Sequence, residues 1–168
     1  FHYLEKTADS LALIERHKEA IEIFRSILAD LDSPEEDPDR MRLEYKTGYS
    51  LMQSGQDIEA RSYFRKIIGE SSEDSFNGLL NDAMTGLGKT YEYTGRHDSA
   101  FYLYLEAYKQ VAESDDTLRK ARNVRNMAQL LRVLNRFEEA RFYCRKAINL
   151  IPEDRKSTRL NSSHVSQS

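Results

Sequence analysis

The chain has 168 residues, 39% hydrophobic and 32% charged, with seven Gly, three Pro and one Cys, which suits one ordinary core and excludes a low-complexity or fibrous chain. A formal charge of -3 argues against a general nucleic-acid binder, and the single cysteine, Cys144, rules out an internal disulfide or a cysteine zinc site. No apolar run approaches the roughly 18 residues of a membrane span, and the excess of Ala, Leu, Glu, Arg and Tyr over Val and Ile favours helix over strand.

Apolar spacing predicts a helix over residues 3–13 and a second over 18–31. SPEEDPDR at 33–40 is a loop that ends on a helix start, with Asp37 as N-cap and Pro38 as first helical residue. The helix from Pro38 turns at Ser54-Gly55 into another that ends near Ile68. GESSEDS at 69–75 is the next connection, before a helix that reaches Thr94 and turns at Gly95. Leu87, Gly88 and Tyr91 share one face of that helix, and Ala100, Tyr104 and Ala107 share one face of the helix that follows. After the acidic break at 113–116 a helix begins near Thr117 and turns at Asn135-Arg136. Its partner ends at Ile151, where Pro152 blocks continuation.

These helices repeat every forty residues. Ala20, Ala60, Ala100 and Ala140 are all alanine; Ala8, Gly48, Gly88 and Ala128 are all small; Leu11, Leu51, Tyr91 and Leu131 are all large and apolar or aromatic. Phe24, Phe64, Tyr104 and Cys144 hold a fourth register position. Small residues are required where helix axes approach to about 8–10 Å. Generic amphipathic helices explain an apolar stripe but not this fixed recurrence.

The Leu-Gly-x-x-Tyr helix, Gly turn and Ala-x-x-x-Tyr-x-x-Ala helix over residues 84–107 resemble the tetratricopeptide repeat. The resemblance implies an all-α, right-handed α-solenoid of four helix-turn-helix hairpins, with units at 1–36, 37–74, 75–115 and 116–153. The family's usual period is about 34 residues. Longer units of this kind resemble the arrays of bacterial sensor kinases and transcription regulators, and of kinesin light chains.

The end of the chain differs. DRKSTRLNSSH, from Asp154 to His164, reads as the conceptual translation of a sequencing-library adapter, so residues 154–168 are expected to be an artefactual, disordered tail. With no initiator Met and no leader pattern at Phe1, the chain is expected to be a fragment of a longer protein. Uncapped ends are then expected to leave Val133, Phe142 or Ile148 uncovered and to favour self-association.

No catalytic constellation stands out, and neither a metal nor a cofactor is expected. His17 and His97 are forty residues apart at equivalent helix starts, too far apart for one metal site. GLGKT at 86–90 lacks the first glycine and the spacing of a phosphate-binding loop. Cys144 stands where its counterparts are aromatic and is expected to be a small core filler.

The resemblance implies protein–protein interaction, with a peptide or extended segment held in a groove lined by the first helix of each unit. The alternative is the input region of a bacterial signalling protein with a kinase or helix-turn-helix output. RNA-binding helical repeats would show a stronger basic stripe than this one. The face opposite the small positions carries Arg42, Tyr45, Lys46 and Tyr49, then Lys89 and Tyr93 with Asp82 and Glu92 against them, then Arg122, Arg125, Asn126, Gln129 and Arg132. More bases than acids on that face point to an acidic partner, with tyrosines supplying contact area. Some family members hold a C-terminal carboxylate with paired Lys and Asn, but Tyr45, Tyr49 and Gly86 depart from that pattern and Arg122 and Asn126 keep only part of it.

Overall fold

The computed structural model describes residues 1–35, 37–70 and 77–150. Eight α-helices follow in order: α1 (His2–Leu13), α2 (His17–Asp30), α3 (Pro38–Gln53), α4 (Asp57–Glu70), α5 (Asn77–Tyr93), α6 (His97–Val111), α7 (Thr117–Val133) and α8 (Phe137–Asn149). Among the described residues there is no strand. The chain divides after Leu103, within α6, into two compact units. The 71–75 part of the expected connection, the expected helix end at Ile151-Pro152 and the 154–168 tail lie outside the described residues.

Each hairpin reverses direction by the same device. Glu15, Gly55, Gly95 and Asn135, forty residues apart in register, have φ of 63°, 78°, 75° and 58°. Their N–H groups donate to the carbonyls of Ala12, Met52, Glu92 and Arg132, and the N–H of each following residue reaches back to Leu11, Leu51, Tyr91 and Leu131. This left-handed ending satisfies carbonyls that a helix C-terminus otherwise leaves unpaired. The following residues, Arg16, Gln56, Arg96 and Arg136, then accept from the N–H groups of Ala20, Ala60, Ala100 and Ala140, so the second helix starts at once. Glycine holds the left-handed conformation freely at 55 and 95, whereas Glu15 does so at a cost of about 1–2 kcal/mol. Position 15 carries no turn signal of its own; the repeat register imposes it.

Two helix starts, those of α3 and α7, are set by an aspartate cap. Asp37 Oδ1 accepts from the N–H groups of Asp39 and Arg40, both at 3.0 Å, with Pro38 as the first helical residue. Asp116 accepts the Arg119 N–H at 3.0 Å and its guanidinium at 2.6 Å. The backbone bond first, then the guanidinium, holds the Asp116 carboxyl below its ordinary range.

In the first unit Ala20, Ala60 and Ala100 are fully buried, as the seam reading expects. Ala8, Ala20, Phe24, Ile27 and Leu43 form one core cluster that joins α1 and α2 to α3. The Phe64 ring, from α4, reaches both α3 and α5. A Cβ added at Gly48 would lie 3.2 Å from Phe64 Cε1, and one added at Gly86 would lie 2.6 Å from Phe64 Cζ. The Tyr45 ring centroid is 5.9 Å from that of Phe64.

One carboxylate enters this interior. Glu44 is 3% exposed, at a register position where its counterparts Leu4, Met84 and Val124 are apolar. Lys66 Nζ lies 2.9 Å from its Oε1, and Arg40 Nε lies 3.5 Å away. A buried carboxylate without such partners would be strongly unfavourable.

In the second unit Val124, Met127, Leu130 and Leu131 of α7 and Ala140 of α8 are buried. Cys144 is exposed, not a core filler. Its counterparts Phe24 and Phe64 are buried because the next helix covers them, Phe24 beside Leu43 and Phe64 under Gly86, whereas no described helix follows α8. Val133, Phe142 and Ile148 stand 55%, 63% and 55% exposed, as do the register counterparts Leu13, Tyr93 and Tyr102 at 85%, 56% and 62%.

Candidate functional site

The first unit holds a cleft of about 790 Å3 between its first hairpin and α3. Ala12 and Leu13 of α1 line one side, Tyr45, Tyr49, Ser50 and Gln53 of α3 the other, and buried Phe24 closes it from α2. Tyr45 and Tyr49 are one helical turn apart with ring centroids 6.3 Å apart, and Gln53 Nε2 donates to the Tyr49 hydroxyl at 2.9 Å. Leu13 is 85% exposed and Tyr49 39%, so the mouth presents apolar and aromatic surface.

The lysine of the cleft is matched by carboxylates of α1. Lys46 Nζ lies 2.7 Å from both Glu5 Oε1 and Asp9 Oδ2, and 5.9 Å from the Phe24 ring centroid. Arg42 reaches Glu5 at 3.4 Å and Asp39 at 3.2 Å. Glu5 and Asp9 are one turn apart on α1, and Arg42 and Lys46 are one turn apart on α3, so two acids meet two bases across the helix pair. Burial works to raise the Glu5 carboxyl, but the hydrogen bond and charge of Lys46, with Arg42 and His2 adding, leave it below its ordinary value of 4.5. A carboxylate with a lowered folded pKa stabilises the fold above its unfolded pKa and loses that contribution as pH falls through the folded value. Below pH 4.5 the thermal midpoint of the wild-type chain should therefore fall more steeply than that of Glu5→Gln. Parallel curves would show that the Glu5–Lys46 contact adds nothing to stability.

On α5, Lys89 lies 3.5 Å from Glu92 and 6.0 Å from the Tyr93 ring centroid. Partial burial raises the Tyr93 hydroxyl pKa, and the charge of Glu92 and the nearness of Tyr49 and Asp57 push the same way. The structure thus brings Tyr45, Lys46 and Tyr49 into the cleft and sets Tyr93 near Tyr49, while Arg42 and Lys89 lie outside the lining. In the second unit Arg125 and Gln129 of α7 are exposed and Arg122 is half-buried. Asn126 is 2% exposed, and its Oδ1 has no hydrogen-bond partner.

The first hairpin's share of the cleft escaped the sequence reading: Asp9, Leu13, Glu15, His17 and Phe24 all line it. A signal was present in the matching four-residue spacings of Glu5 and Asp9 and of Arg42 and Lys46. Among the described residues no group of three or more His, Cys, Asp or Glu is placed to hold a metal ion, and no helix is long and apolar enough to cross a membrane.

Residues 79–153 match the family profile of the tetratricopeptide repeat. Those residues carry the tetratricopeptide repeat, and the eight-helix fold is that of tetratricopeptide solenoids. Solved structures share the fold. Kinesin light chain TPR-like repeats of Podosopora anserina superpose with a TM-score of 0.75 at 13% identity, covering 89% of this chain and 74% of that one. Two MamA structures superpose with TM-scores of 0.65 and 0.63 at 18% and 21% identity, covering 92% of this chain in each case and 79% and 74% of the others. No curated protein matches the sequence.

The tetratricopeptide geometry also accounts for one departure from the carboxylate-binding pattern. Gly86, where that pattern wants an asparagine, faces the Phe64 ring at a distance that leaves no room for a side chain.

Proposed function

We propose that this tetratricopeptide chain is a protein–protein interaction module without catalysis of its own, whose first unit receives an extended segment of a partner in the cleft between α1 and α3. The observation that carries this reading is the open, tyrosine-walled cleft of about 790 Å3 with Leu13 and Tyr49 exposed at its mouth. That volume falls in the range of built ligand sites, and tyrosines give large contact area at low entropic cost. Lys46 is already held by Glu5 and Asp9, and Glu15 adds a further carboxylate to the lining. An acidic segment would reach Lys46 only by displacing an internal carboxylate, gaining the difference between two similar contacts. Affinity in this cleft therefore rests on an apolar anchor, and its salt dependence is slight.

Random peptides selected on the 168-residue chain should share a large apolar residue. The pair Leu13→Ser and Tyr49→Ser, both at exposed side chains, should weaken the selected clones by about tenfold or more, equal to about 1.4 kcal/mol, with little change in melting temperature. Clones without a shared anchor, or clones indifferent to the pair, would remove this cleft as the recognition surface.

A further inference from the structure

Three arginines of the first unit, none of them in that cleft's lining, gather on one aromatic ring. Arg61 and Arg65 stand one turn apart on α4, and Arg96 stands in the turn between α5 and α6. Their guanidinium carbons lie 5.5, 6.0 and 4.9 Å from the centroid of Tyr91. Arg65 donates to the Tyr91 hydroxyl, and Arg61 Nε donates to the Asp57 carbonyl oxygen at 3.2 Å. Arg61 is half-buried.

None of the three guanidiniums pairs with a carboxylate among the described residues. Elsewhere in this acidic chain carboxylate partners are usual, as for Arg16 with Glu19, Arg25 with Glu59, Arg40 with Glu44, Arg42 with Glu5 and Arg136 with Glu139. Three like charges collected on a neutral ring repel one another, and a multiply charged anion brought from outside relieves that repulsion. The Tyr91 ring, 8% exposed, fixes their positions, while Arg65 and Arg96 remain exposed. A carboxylate offers one charge and two oxygens; a phosphate monoester offers close to two charges and three acceptor oxygens, which suits three planar donor forks. Beside the same ring lies a second cleft of about 470 Å3, with Leu87, Tyr102 and Leu103 on its apolar side and Asp98 and Ser99 on its polar side.

We propose that Arg61, Arg65 and Arg96 form a docking site for a phosphorylated side chain of a partner protein, with the neighbouring apolar residue of that partner seated against Leu87 and Tyr102. Asp98 disfavours a second acidic residue in the flanking position. The site does not depend on the α1–α3 cleft.

The test uses the 168-residue chain and fluorescent degenerate peptides with a fixed phosphoserine or phosphotyrosine next to an apolar residue, alongside the same peptides unphosphorylated. The phosphorylated pools should bind at least about tenfold more tightly, lose affinity as salt rises, and be displaced by inorganic phosphate at high concentration. The double variant Arg65→Gln/Arg96→Gln, confined to exposed side chains, should abolish that preference while keeping the melting temperature. The Leu13→Ser/Tyr49→Ser pair should leave it intact, which separates this site from the cleft. Equal binding of phosphorylated and unphosphorylated pools, no binding of either, or full binding by the double variant would overturn the proposal. So would capture of vesicles rich in phosphatidylserine without capture of phosphopeptides.

Discussion

Truncating Phe64 to alanine is expected to cost about 3–5 kcal/mol of unfolding free energy, the range for a large aromatic residue removed from a packed interior. Phe64 is fully buried, and both neighbouring helices are built around it. Its ring is bounded by Gly48 on α3, by Gly86 on α5 and by the Tyr45 ring, so the three groups do not collapse readily into the space it leaves. The reciprocal change should also be felt. A Cβ at Gly86 would stand 2.6, 2.8 and 2.9 Å from three ring atoms of Phe64, and Gly48 on the other side hinders the ring's retreat. Gly86→Ala should therefore lose about 1–3 kcal/mol to overpacking, more than the roughly 1 kcal/mol that alanine returns in helix propensity. Combining Gly86→Ala with Phe64→Leu should recover part of that loss. Urea unfolding midpoints measure all three variants; a Phe64→Ala shift worth under about 1 kcal/mol would mean that the ring does not hold these helices together.

Lys66→Met is the second large effect, at about 3 kcal/mol, because it leaves the buried Glu44 carboxylate with only the longer Arg40 contact at 3.5 Å. Glu44 is 3% exposed and one of its oxygens already lacks a partner. Burial alone would lower the Lys66 ammonium pKa, but the Glu44 hydrogen bond and charge, with Glu70 and Glu35 adding, hold it above its ordinary value. The Lys66 side chain is 32% exposed, so water shares in the compensation and the cost sits at the low end for a broken buried pair. Glu44→Met should be milder, since Lys66 keeps Glu35 at 3.5 Å and Glu70 at 3.8 Å. The double variant Glu44→Met/Lys66→Met should return to wild-type stability or exceed it, because a well-packed apolar pair avoids the desolvation of two charges. A double-mutant cycle by chemical unfolding reads this coupling directly. A double variant as unstable as Lys66→Met alone would mean that the carboxylate is not the source of the loss.

The two effects differ in how far the chain announced them. Phe64 stands in a forty-residue register with Phe24 and Tyr104, and the seam alanines stand in another, so recurrence pointed to their burial, although Cys144 of the first register is exposed. Glu44 breaks a register of Leu4, Met84 and Val124, a break that the sequence reading passed over. Its partner Lys66 could not be named, because the contact joins positions 22 residues apart on different helices. Gly86 looked like a missing ligand residue and proved to be a packing site, since its role depends on which ring lies opposite.

What the amino-acid sequence determined by itself was everything local or periodic. Helix starts at Pro38 and near Thr117, the turns at 54–55, 95 and 135–136, the buried alanines and the tetratricopeptide class all follow from hydrogen bonding and packing that repeat along the chain. What only the tertiary structure decided was which charges meet. Lys46 looked available to a ligand and is held by Glu5 and Asp9, Cys144 looked buried and is exposed, and Arg61, Arg65 and Arg96, from one helix and a turn, converge on Tyr91. The physical reason is range. Periodic burial depends on neighbours within a hairpin, whereas a charge acts on whatever the packed helices bring within a few ångströms, and sequence spacing does not encode that distance.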